Sequence, residues 1–65
     1  MSNEYFYFIR ELKRHMMEQE LRPIDVALML NVRFSTVYNW LSFRTIMNGS
    51  DMLQIIDKIM DGRIG

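Results

Sequence analysis

The stretch 23-PIDVALMLNVRFSTVYNWLS-42 reads as two short helices joined by a tight turn. Val26, Ala27 and Leu30 share the inner face of the first helix, and Val32, Val37 and Trp40 supply the apolar contacts of the second. Ala27 is small, so the second helix can cross close to the first. Asn31 follows Leu30 and tolerates the left-handed backbone that ends a helix. Val37 and Trp40 are three apart and so lie on one helical face. This spacing is that of a helix-turn-helix, in which the second helix enters the major groove of DNA.

The opposite face of that second helix, expected over about residues 34–42, carries the functional expectation. At about 100° per residue, Ser35, Tyr38, Asn39 and Ser42 fall within one arc, away from Val37 and Trp40. All four donate and accept hydrogen bonds. Asn pairs bidentately with adenine, and Ser bonds a base or a phosphate. Arg33 precedes the helix, Arg44 follows it, and residues 26–50 contain no acid. A polar helical face without carboxylates suits a polyanion. The ordinary alternative is a surface helix, since any such helix is polar outside.

Residues 4–60 resemble the lambda repressor/Cro-like family of small helical DNA-binding domains. The resemblance rests on the two helices and on Leu53, Ile56 and Ile59, which stand where the family has a further helix with apolar residues at Leu-x-x-Ile spacing. The chain departs from the family at several places. Asn31 and Phe43 stand where a Gly is usual, Arg33 where a Ser commonly caps the recognition helix, and Met47 or Asn48 where a Pro precedes the next helix. The resemblance implies a sequence-specific transcriptional regulator, a small Cro-like repressor of phage or mobile-element type with no small-molecule effector. Arg33, Phe34, Ser35, Tyr38, Asn39 and Ser42 would face the groove, with Phe34 touching a thymine methyl. Arg44 and Arg22 would reach phosphates. The expected partner is double-stranded DNA, bound by a homodimer that pairs in advance or only on the DNA.

Sixty-five residues make one domain, spanning 1–65. Folding at this size buries only about 60% of the unfolded surface. There is no Cys, which excludes disulfides and thiolate metal sites, and His15 is the only His, which excludes a multi-His site. Apolar runs such as residues 26–30 are too short to span a membrane. The start, MSNEYFYFIR, does not resemble a signal peptide, so the expected location is cytoplasmic. Eight basic and eight acidic residues cancel, which counts against an indiscriminate nucleic-acid binder. The distribution is nonetheless slightly asymmetric, which permits a basic face without a basic protein. Arg10, Lys13, Arg14, Arg22, Arg33 and Arg44 precede Asp51, Asp57 and Asp61.

A first helix begins near Ser2 or Asn3, either of which can cap it. Tyr5, Phe8, Ile9, Leu12 and Met16 make its core stripe, with His15 at the edge. Phe6, Tyr7 and Met17 fall outside the stripe on a side shared with Arg10, Lys13 and Arg14. Either basic stems cover these apolar groups, or a partner does. Pro23 and Asp25 suit the first turn of the next helix, although Asp25 would repel a phosphate placed there. Leu28 and Met29 are apolar at positions that are usually polar. Residues 43–49 make a loop. A last helix over about 50–60, capped by Asn48 or Ser50, carries Met52, Ile55, Ile56 and Ile59, with Leu53 and Met60 widening the stripe. Gly62 ends it. The expected fold is all-α, a compact four-helix domain with a central helix-turn-helix.

No nucleophile–base–acid set can be assembled, because Ser35, Ser42 and Ser50 have only His15 as a base. The three Gly are isolated at Gly49, Gly62 and Gly65, so there is no phosphate-binding loop. The chain is expected to be neither an enzyme nor a cofactor or metal binder. Two other readings stand beside the repressor. Residues 36–40 also resemble excisionase-like architectural proteins, which carry a strand-built wing after the recognition helix. A protein-binding adaptor or inhibitor would retain the shape and use Phe6, Tyr7, Met17, Leu28 and Met29 on a host protein.

Overall fold

The computed structural model describes residues 3–62, with four helices in the order α1 (Asn3–Glu18), α2 (Pro23–Leu30), α3 (Phe34–Leu41) and α4 (Gly49–Lys58). There is no strand among the described residues. The expected cap at Ser2 lies outside them.

Each helix stops for a local reason. After α1 the chain turns through Glu20 in the left-handed region, and half-buried Leu21 returns its N–H to Met16 O at 2.8 Å. Pro23 opens α2, and Asp25 accepts the Arg22 backbone N–H at 2.7 Å, satisfying a donor that the helix leaves free. Asn31 ends α2 at φ 57°, ψ 46°, the left-handed conformation expected of it. The Asn48 side chain accepts the Asp51 N–H at 2.8 Å and caps α4. α4 gives out at Lys58, short of the expected residue 60. The chain then turns over residues 59–62, with Asp61 and Gly62 both left-handed.

The core is continuous across all four helices. Tyr5, Phe8, Ile9, Leu12 and Met16 come from α1, Val26, Ala27 and Leu30 from α2, and Val37 and Trp40 from α3. Ile55 comes from α4, and Ile59 and Met60 from the turn behind it. α2 packs closely on α3 as expected of a helix-turn-helix, α1 lies against α3, and α4 against α2.

One expectation about the last third needs correction. Leu53 does not widen the core stripe: it is 69% exposed, because it sits about 200° around the helix from buried Ile55. Met52 and Ile56 pack only partly against the core. Met47 lies in the loop as expected, and its burial is a finding that the sequence did not indicate. Its side chain is buried, and its N–H donates to the Tyr5 hydroxyl at 3.0 Å in the interior. A loop residue has no periodicity to reveal such a contact. Met29 also differs, packing against the core and leaving Leu28, 74% exposed, as the apolar surplus of α2.

Candidate nucleic-acid interface

α3 stands with Val37 and Trp40 inward and Leu41 partly packed beside them, so the opposite side of the helix faces out. Phe34, Ser35, Tyr38 and Ser42 are exposed, and Asn39 is half-buried. Phe34 and Tyr38, four apart, place their ring centroids 6.3 Å from each other at 26°. They form an aromatic edge along the polar face. The Asn39 side-chain amide makes no hydrogen bond among the described residues, so its donors and acceptor remain available. Ser42, the residue after α3, donates its hydroxyl to Tyr38 O at 2.8 Å and keeps only its acceptor lone pairs for anything else.

The three arginines assigned from sequence fall into two classes. Arg33 at the N-terminus of α3 and Arg44 beyond its C-terminus are exposed and form no ion pair among the described residues. Arg10 on α1 behaves likewise. Arg22 is different. Its Nε and Nη2 lie 3.1 and 3.3 Å from Asp25, and this contact holds the Asp25 carboxyl below the usual aspartate range. The same contact raises the Arg22 guanidinium. Its charge is locally compensated, so the expectation of a phosphate contact is weaker at Arg22 than at Arg44. No side chain caps the start of α3, where Arg33 replaces the usual Ser.

Arg44 is positioned by a residue that sequence reading took only as a departure. Phe43 adopts φ 62°, left-handed backbone, at the place where the family resemblance expects Gly. Around it, Phe43 N–H returns to Trp40 O at 3.2 Å and Arg44 N–H to Asn39 O at 2.9 Å, closing the end of α3. A Phe in this conformation is costly by about 1–2 kcal/mol. Its ring stacks on Phe6 at 4.9 Å and 18°, with the Lys13 ammonium 5.4 Å from the ring centroid, and both contacts offset that cost. The Gly-to-Phe departure and the unexplained Phe6 are therefore two halves of one contact.

No group of three or more His, Cys, Asp or Glu able to hold a metal occurs among the described residues, and no helix there is long and apolar enough to cross a membrane. Comparison with protein-family models, with curated proteins and with solved structures gives no match.

Proposed function

We propose that the chain is a sequence-specific DNA-binding regulator of the small repressor type, with α3 lying in the major groove of double-stranded DNA. One observation carries the reading. The outward face of α3 presents Ser35, Tyr38 and Asn39 between two unpaired arginines, Arg33 and Arg44, within a 25-residue stretch, residues 26–50, that holds no carboxylate. Asn39 and Ser35 supply base-edge hydrogen bonds, Phe34 an apolar contact for a thymine methyl, and Arg33 and Arg44 the phosphates. Ser42 serves mainly to close the helix. The zero net charge fits a protein whose selectivity rests on these direct contacts.

Two copies acting on a nearly symmetric site, with reading helices about 34 Å apart, supply the affinity that one neutral domain lacks. Selection from a random duplex library at physiological salt tests the proposal. Enrichment of one sequence, lost on Asn39→Ala, is the expected result, and an unselective pool would overturn it. Sedimentation with the selected site then gives the number of chains bound.

A protein-binding role has its own observation, the exposure of Phe6, Tyr7, Met17 and Leu28. The excisionase-like reading has none, since the segment after α3 forms loop and helix without a wing.

A further inference from the structure

The outer surface of α1 divides into two unlike sides. On one, Arg14 lies between Glu11 and Glu18, at 2.7 and 2.9 Å, so its charge is spent within the helix. On the other, Phe6, Arg10, Lys13 and Met17 follow at i, i+4, i+7 and i+11, one continuous stripe about 16 Å long. All four are exposed, Phe6 at 46% and Met17 at 80%. No carboxylate shares the stripe, and neither Arg10 nor Lys13 has an ion pair among the described residues. Basic stems do cover Phe43, through Lys13, but they leave Met17 and much of Phe6 open.

We infer that this stripe is a docking surface for an acidic amphipathic helix of a partner protein. The partner carries carboxylates opposite Arg10 and Lys13, and an apolar side chain at each end, opposite Phe6 and Met17. Charge complementarity selects the occupant: in a chain of zero net charge, two cations left without anions between two apolar groups match an apolar–acid–acid–apolar sequence at the same helical spacing. A phosphate backbone fits less well, because it is anionic along its whole length and leaves Met17 and Phe6 unmatched. The stripe borders the end of α3, where Phe6 and Lys13 meet Phe43 beside Arg44, but its match to an acidic helix is argued from the residues of α1 alone. The inference therefore does not rest on α3 reading DNA.

The test is selection from a displayed library of helical peptides with Leu fixed at i and i+11 and with Glu, Lys, Gln or Ser varied at i+4 and i+7. The bait is the full chain. Enrichment of Glu at both varied positions is expected, with affinity falling about tenfold or more in the double variant Arg10→Glu, Lys13→Glu. That double variant should in turn prefer Lys at the same peptide positions. Both substitutions are at exposed sites, and retained helical circular dichroism establishes that the variant folds. Met17→Ser, which touches no charge, should weaken binding by a smaller factor. The inference is overturned if no peptide is retained, if neutral or basic peptides are enriched, or if the charge reversal leaves binding unchanged. It is equally overturned if the reversal weakens duplex DNA binding while no acidic peptide is held, which would make the stripe a phosphate contact.

Discussion

Val37 and Trp40 on the inner face of α3 are almost wholly removed from solvent, while Ser35 and Tyr38 on its outer face, and Ser42 just past its end, are exposed. The inner residues are accounted for by packing against α1 and α2. Among the outer ones Ser42 caps the last carbonyls and Tyr38 meets only Phe34, another exposed residue of the same face. Stability therefore constrains the two faces unequally. What stands on the outer face is free to answer to something outside the molecule, and substitutions on the two faces should separate folding from binding.

The largest effect is expected inside. Trp40→Ala should destabilise by about 3–5 kcal/mol, a large share of the whole stability of so small a domain, and thermal or urea unfolding measures it. An unchanged melting curve would erase the distinction between the faces. Outside, Asn39→Ala should leave the melting curve nearly in place and weaken binding to the selected site by about 1–3 kcal/mol, with much less loss on random DNA. Equal losses on both DNAs would move Asn39 from base reading to phosphate contact.

The boundary between the faces is sharpened at Phe43. Phe43→Ala keeps the left-handed backbone and loses both ring contacts, whereas Phe43→Gly loses the ring but relieves the backbone. Ala should therefore be less stable than Gly by about 1 kcal/mol, read from paired denaturation curves. A smaller effect separates the arginines. Arg44→Ala should lower the salt dependence of DNA binding by about one phosphate, and Arg22→Ala by less, because Asp25 already compensates Arg22. The same pair gives a pH signature. Arg22 holds the Asp25 carboxyl low in the folded state, so its contribution is complete above the ordinary aspartate range and is lost as pH falls through the lower, folded value. Asp25→Asn should flatten that part of the acid limb of stability against pH, and an unchanged limb would show that the pair adds nothing.

Much of this fold was legible in the chain because its signals are periodic. The α1 stripe, the inner faces of α2 and α3 and the turn at Asn31 all follow from helical spacing and from one residue tolerant of left-handed backbone. Leu53 misled because the last helix is apolar over more than half its circumference, and only packing chooses which apolar residues go inside. Met47 and the Phe6–Phe43 stack were illegible for another reason: they join residues far apart in sequence, one of each pair in an aperiodic loop. The polar face of α3 was legible as a set of residues, as was the absence of acid around it. The pairing of Arg22 with Asp25, which ranks the arginines, needed coordinates, although their i, i+3 spacing hinted at it.

The two ties that hold α1 at its ends bear on how the chain is made. Tyr5 near the start of the helix bonds to Met47, 42 residues later, and Gln19 just past its end donates to Ile59 O at 2.6 Å, 40 residues later. Neither tie can form until the chain beyond α3 has been made. α2 and α3, by contrast, need only each other's neighbourhood and can associate early, with little loop to close. The two ties at the ends of α1 therefore close only after the α2–α3 pair, because both reach segments that lie beyond α3.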